Sequence, residues 1–271
     1  MNFDILEFKN LLTAIHLKYG YDFTEYAEAS VRRRVEYFMN SRKITSLALL
    51  STRILNDEHE FEEFIQDVSV TVTEMFRDPT FYKSLRENVL PQLSTWPFIK
   101  IWIAGCATGE EVYSVTILLK ESNLLTRSVI YATDINQKSL KIARDGVYPI
   151  DNMQKYIHNY QKSGGTHDFS NYFSAKYNSV IFHKDLRQNV VFSPHNLAVD
   201  SSFNEFQLII CRNVLIYFNQ QLQNRVINLF HSSLSPFGYL ALGNKESLLF
   251  SDVRPLFLDI DRKDKIFRKN A

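Results

Sequence analysis

Residues Ile101 to Glu111 read Ile-Trp-Ile-Ala-Gly-Cys-Ala-Thr-Gly-Glu-Glu, and Tyr131 to Asn136, about one strand-helix-strand step later, read Tyr-Ala-Thr-Asp-Ile-Asn. An apolar run breaks at Gly105, small residues carry the turn to Gly109, and an apolar 3.6-residue period begins at Val112, which spells strand, tight turn and helix. Such a turn brings backbone close to a ligand, with Ala104 and Gly105 at the contact. A second apolar run, Ser128 to Ala132, delivers Asp134 to a neighbouring strand end, where an acid accepts hydrogen bonds from both hydroxyls of a ribose. Alone, Asp134 also fits the N-cap of a helix over Gln137 to Arg144. The order and separation of the two motifs point to a nucleoside site on a Rossmann-like sheet.

A dinucleotide site needs three glycines as G-x-G-x-x-G, so that pyrophosphate rests on bare amides at a helix N-terminus; this turn has only Gly105 and Gly109. Glu110 and Glu111 add negative charge that repels phosphate but suits a ligand carrying an ammonium and a sulfonium. S-adenosylmethionine is the nucleoside with those groups.

The chain has 271 residues, 45% of them apolar and 14% aromatic, enough for one large core or two modest ones. Phe8, Leu11, Leu12 and Ile15, then Val31, Val35 and Phe38, then Phe61, Phe64, Ile65 and Val68, then Phe81, Leu85 and Val89 recur at helical spacing, predicting an all-helical domain over 1–90. Pro91 and the 94–97 stretch break the pattern, and 91–271 alternates as α/β. Strands are expected at 100–105, 128–133, 189–194, 206–211, 237–242 and 264–268, with helices at 109–122, 136–144 and 219–233. The gap at about 146–188 is too long for an ordinary connection and predicts an inserted subdomain. A net charge of +1 gives no global field for nucleic acid or an anionic membrane. The two cysteines, Cys106 and Cys211, lie in apolar turns rather than in a disulfide framework, which fits a reducing cytoplasm. The start of the chain has no secretory pattern, and no run of eighteen apolar residues predicts membrane insertion. Neither histidines nor cysteines have metal-ligand spacing, so no metal is expected.

At the end of the fourth expected strand stands Cys211-Arg-Asn-Val-Leu-Ile-Tyr-Phe218. That end faces the ligand crevice in an open sheet, placing Arg212 and Asn213 in it. The Asn/Asp-Pro-Pro-aromatic motif that orients an amine is absent. Arg212 and Tyr217 suit an anionic acceptor, since a guanidinium holds a carboxylate by two parallel hydrogen bonds and a phenol adds a donor. A carboxylate needs no general base at neutral pH, so alignment and water exclusion supply the rate. Earlier, Thr71-Val-Thr-Glu-Met-Phe-Arg-Asp-Pro79 offers Thr71 and Thr73 on one side of an extended segment and Arg77 for the cofactor's carboxylate; Asp78 and Pro79 also read as a helix start. Asn196, with Leu197, falls where the adenine would lie. Arg32, Arg33, Arg34, Arg42 and Lys43 form a cationic cluster, either a solvated face or a docking surface for an acidic helical substrate.

Together, the Thr71–Pro79 segment, Ala104-Gly-Cys-Ala-Thr-Gly-Glu-Glu, Ala132-Thr-Asp-Ile-Asn and Cys211–Phe218 resemble the chemotaxis receptor protein-glutamate O-methyltransferases of the CheR type. The likeness runs from Tyr19-Gly-Tyr-Asp-Phe through Arg32–Arg34 to Leu242-Gly-Asn-Lys-Glu-Ser-Leu. It implies a helical N-terminal domain before a class I, Rossmann-like methyltransferase domain with a small β-subdomain. It makes Thr71, Thr73, Arg77, Glu110, Asp134, Asn196 and Leu197 cofactor contacts, and Arg212 and Tyr217 the pair beside the transferred methyl. Thr71 stands where the family often has Asn, and Asn244-Lys245 departs from the usual pair before Glu246. By this resemblance the chain is a cytoplasmic monomer that methylates glutamates on chemoreceptor cytoplasmic helices, yielding S-adenosylhomocysteine. The basic helical face would dock the receptor. Carboxyl methylation of another signalling protein, and a non-catalytic cofactor-sensing module, are the alternatives.

Overall fold

The computed structural model describes residues 4–69 and 72–271. Four helices come first: α1 (Ile5–Tyr19), α2 (Glu28–Ser41), α3 (Leu47–Asn56) and α4 (Glu58–Val68). Their starts are written locally. Asp4, Ser46 and Asp57 accept first-turn amide protons of α1, α3 and α4, and Gly20 closes α1 in the left-handed region at φ 77°. Each helix buries one apolar stripe, and Phe8, Ile15, Val35, Phe38, Leu50 and Phe64 meet in a core of their own.

A second helical stretch, α5 (Pro79–Ser84), a π turn over Leu85–Val89 and α6 (Leu90–Leu93), leads into β1 (Ile99–Ala104). Then come α7 (Glu110–Glu121), β2 (Ser128–Asp134), α8 (Gln137–Asp145), β3 (Val147–Pro149), α9 (Met153–Lys162), β4 (Phe173–Lys176), β5 (Ser179–Phe182), β6 (Val190–Pro194), β7 (Phe206–Cys211), α10 (Gln220–Ser233), β8 (Leu234–Leu242), β9 (Phe257–Asp261) and β10 (Ile266–Lys269). The main sheet runs β6-β2-β1-β7-β8-β10-β9, with its first five strands parallel and the last two an antiparallel hairpin. This is the Rossmann-like order of a class I methyltransferase domain, and it reverses direction between β1 and β7, where an open sheet leaves its ligand crevice. β1 and β7 are buried on both faces along Ile101–Ala104 and Leu208–Cys211, as those apolar runs require. β9 has no counterpart among the expected strands. Its alternating acids serve a polar edge: Asp259 pairs with Arg254 and Arg262, and Asp261 accepts from Ser84.

The residues between α8 and β6 hold a separate antiparallel sheet, β3-β5-β4, together with α9. Its anchor to the main domain is Glu121, nearly buried, which pairs with Arg86 at 2.5 Å and accepts from the hydroxyls of Tyr160 and Tyr172. Phe81, Leu85 and Val89, expected to join the N-terminal helices, pack instead into the main-sheet core with Ile101, Val115 and Ile117. Periodicity reports that a segment is helical but not which core receives its stripe. We propose that the domains divide between Val68 and Met75 rather than at residue 90. Among the described residues no helix is long and apolar enough to cross a membrane.

Candidate functional site

The helical domain lies on the carboxyl edge of the main sheet. Tyr26 forms an antiparallel bridge with Phe218, the Ala27 amide donates to the Tyr217 carbonyl at 2.8 Å, and the Asn219 amide donates to the Glu25 carbonyl at 2.9 Å. Lys138 reaches Gln66, and Asn136 donates to the Ser69 hydroxyl at 2.8 Å. Between the two bodies opens a cleft of about 1110 Å³, counting the space at its mouth. Among the residues expected at the site, Thr73, Arg77, Gly105, Asp134, Asn196, Leu197, Arg212, Asn213, Tyr217 and Arg34 line it. Thr71 lies outside the described residues. Ala104, 1% exposed, stands behind the lining.

The turn after β1 has the geometry its sequence demands. Gly105 adopts φ 78°, and a Cβ there would stand 2.4 Å from Val214; Gly109 adopts φ 93° and leaves room for Ala143. The Asp134 carboxylate is fixed by main chain, one oxygen accepting from the Ala107 amide and the other from the Asn136 amide, both at 2.8 Å. Burial pushes its pKa up, against the pull of those amides. With one hydrogen bond on each oxygen, lone pairs remain for the two hydroxyls of a ribose. Asn196 closes its own loop, its side-chain oxygen accepting from the Ala198 amide at 3.0 Å while its backbone N–H donates to Asp200 at 2.7 Å.

Glu110 is not where the sequence reading places it. Its side chain is buried outside the lining, accepts from the Thr108 hydroxyl at 2.6 Å, and is pushed up in pKa by burial, with Tyr148 and Tyr156 of the inserted subdomain beside it. Glu111 faces the cleft instead. One residue on a helix is a rotation of about 100°, and which of two adjacent acids points inward depends on how α7 packs.

Arg212 also differs from its expected role. The guanidinium is already engaged: one amino group donates to Glu111 at 2.8 Å, and the other to Asp78 at 2.7 Å and to the Arg77 carbonyl at 3.2 Å. It lies 4.0 Å from the Phe81 ring centroid, and its side chain is 2% exposed. Burial works against its charge, but Glu111 and the other acid neighbours prevail and hold the pKa up. Both amino groups of Arg212 are thus taken up by protein acceptors, while the residue still borders the cleft. It is a strut joining β7, α7 and the 77–78 turn.

The cationic cluster disperses because three consecutive helical residues span about 200°. Arg42 is paired with Glu63 at 3.1 Å and Asp67 at 2.7 Å, and Arg32 with Glu28 at 3.5 Å. Arg33 and Lys43 are exposed. Arg34 turns into the cleft, donates to the Val68 carbonyl at 2.7 Å, and places its guanidinium 4.7 Å from the Tyr217 ring centroid. Arg34 and Tyr217, one residue from each body, thus meet at the cleft.

Sequence reading passed over the function of Glu246. Buried at 4% exposure, it accepts from the amides of Gly243, Asn213, Val214 and Leu215, the last two at 2.8 Å. It thereby shapes the turn that carries Asn213, held at φ 60°, towards Tyr217. An acid after Leu242-Gly-Asn-Lys is the visible signal, but its targets lie some thirty residues upstream.

These groups fit S-adenosylmethionine. Asp134, Asn196, Leu197, Arg77 and Thr73 line one continuous cleft, with an acid for a ribose and a cation for a carboxylate. Bare backbone at Gly105 lets the ligand lie close to the sheet. Among the described residues no group of His, Cys, Asp or Glu is arranged to hold a metal ion.

Comparison with known proteins agrees with this geometry. The family model "CheR methyltransferase, SAM binding domain" matches residues 71–259, and "CheR methyltransferase, all-alpha domain" matches residues 6–69. The chain is 48% identical, over 98% of its length and 97% of the relative's, to "Putative methyltransferase Cher3" of Pseudomonas putida. It is 29% identical to "Chemotaxis protein methyltransferase" of Listeria innocua, over 85% of this chain and 86% of that one. It is 31% identical to "Chemotaxis protein methyltransferase 1" of Pseudomonas aeruginosa, over 80% and 81% respectively. With both domain models matched and the nucleoside cleft formed at the sheet edge, this chain belongs to the CheR methyltransferase family and is an S-adenosylmethionine-dependent methyltransferase.

Proposed function

We propose that the protein methylates glutamate side chains on the cytoplasmic helices of a chemoreceptor, giving glutamate methyl esters and S-adenosylhomocysteine. The observation that carries the reading is the Arg34 guanidinium set over the Tyr217 ring at the cleft. A cation and a phenol there favour an anionic acceptor and offer nothing that would take a proton from an amine. The relatives named as chemotaxis protein methyltransferases support an acceptor in chemotaxis.

The cofactor supplies an electrophilic methyl on a sulfonium. Arg34 and Tyr217 steer the carboxylate oxygen towards it, and the helical domain excludes water from the cleft. Asp134, Asn196 and Arg77 fix the nucleoside along its length. Arg212 acts at a distance, holding Glu111 and the 77–78 turn in place. Arg33 and Lys43, exposed on the helical domain, remain to attract an acidic helix.

Incubation with methyl-labelled cofactor and a chemoreceptor cytoplasmic fragment from the same host tests this. Base-labile label on receptor glutamates is the expected result. Label on another signalling protein would move the acceptor, and turnover on none of the host's chemoreceptors would sink the reading.

A further inference from the structure

We propose that Asn159, on α9 of the inserted subdomain, is a positioning residue for the amino-acid end of the cofactor and acts through the backbone of Met75. The proposal rests on the reading of Arg77 as the group that takes the cofactor's carboxylate.

Val72, Thr73, Glu74 and Arg77 line the cleft from a segment without regular structure. Its backbone is strained: Phe76 sits at φ 52° and Asp78 at φ 56°, left-handed values that side-chain-bearing residues adopt only where the surroundings over-determine them. Three pins do so. The Asn159 side-chain amide donates to the Met75 carbonyl at 3.0 Å, the Phe76 amide donates to the Ser114 hydroxyl at 2.9 Å, and Arg212 donates to the Arg77 carbonyl at 3.2 Å. The second pin belongs to α7 and the third to the end of β7, but the first comes from the insertion.

Met75 is fully buried and Asn159 is 9% exposed, so loss of the amide leaves a carbonyl in the interior with no water to replace its donor. The cheapest relief is movement of the segment, which carries Thr73 and Arg77 with it. The insertion also wraps this segment otherwise: Lys155 pairs with Glu74, and the Phe76 ring meets Tyr160 at 5.2 Å and Phe169 at 6.1 Å. The inserted subdomain therefore backs the segment that lines the cofactor cleft. The ribose contact at Asp134 belongs to a different element, held by Ala107 and Asn136, and does not depend on this pin.

That separation gives a readout that a merely structural role would not move. Calorimetric titration of the full chain compares S-adenosylhomocysteine with 5′-methylthioadenosine, which keeps the adenosine and thioether but lacks the amino-acid end. Asn159→Leu, close in volume and without a donor, is expected to weaken S-adenosylhomocysteine about tenfold while leaving methylthioadenosine within about twofold. Equal weakening of both ligands, or of neither, overturns the proposal. Should Asn159→Leu not fold, Ser114→Ala removes the adjacent pin by a smaller deletion; the same selective loss is expected, and its absence counts against positioning. Arg77→Ala separates the two levels. Selective loss there with none in Asn159→Leu overturns the role of Asn159 alone, whereas no selective loss in Arg77→Ala overturns the reading of Arg77 and the proposal with it.

Discussion

On the sheet side of the cleft the carboxylates of Asp134 and Glu246 are held by main-chain amides, two for the first and four for the second. Across the cleft the helical domain contributes Arg34, a guanidinium on a long stem resting on Tyr217. The first wall is preorganised: its donors and acceptors are fixed by the strands' register and move little when a nucleoside arrives. The second wall rests on a side chain, held by the Val68 carbonyl and the Tyr217 ring rather than by strand register. On the proposed reading, cofactor recognition falls to backbone geometry and acceptor recognition to side-chain reach.

The largest expected effect is at the strut within the first wall, which joins β7, α7 and the 77–78 turn. Arg212→Met should cost about 3 kcal/mol of stability, because it leaves Glu111 and Asp78 close together without their cation. Urea unfolding measures it, and a loss below about 1 kcal/mol would mean the turn at Asp78 is held without the strut. Arg34→Ala should cut turnover about a hundredfold while leaving S-adenosylhomocysteine affinity within about threefold. Parallel losses in both would erase the division of labour by making Arg34 a cofactor ligand. Asp134→Ala should weaken the same ligand by about 1 to 3 kcal/mol in calorimetry. The charged carboxylate is the form that accepts from the ribose, and burial raises its pKa. Affinity should accordingly hold above that pKa and fall as pH drops through it, beginning at a higher pH than an exposed aspartate would cause; Asp134→Asn should bind weakly and without that dependence. The smallest effect belongs to Arg42→Ala, which loses partly exposed pairs with Glu63 and Asp67 and should change stability by less than about 1 kcal/mol and turnover little. A large turnover loss would return Arg42 to the docking surface.

Gly105, Asp134 and the strands at the centre of the sheet were legible because their signals are local: a break in an apolar run, a residue that accepts positive φ, an acid at a strand end. Arg212 was legible as a residue of the crevice but not as a strut, since its partners stand 101 and 134 residues away along the chain. Glu246 was hidden for the same reason, and Glu110 differed from Glu111 only by the rotation of a helix. Phe81, Leu85 and Val89 announced their helix but not the core that would take them.

The amino-acid sequence by itself determined the alternation of strands and helices, the nucleoside turn and the acid beside it, because periodicity and backbone permissiveness act over a few residues. Only the tertiary structure decided which arginine stands beside the open cleft without a carboxylate partner among the described residues. A cation is available to a substrate only where the fold has not already surrounded it with carboxylates, and at Arg212 the packing of α7 against the 77–78 turn has done so, while at Arg34 it has left the guanidinium beside the open cleft.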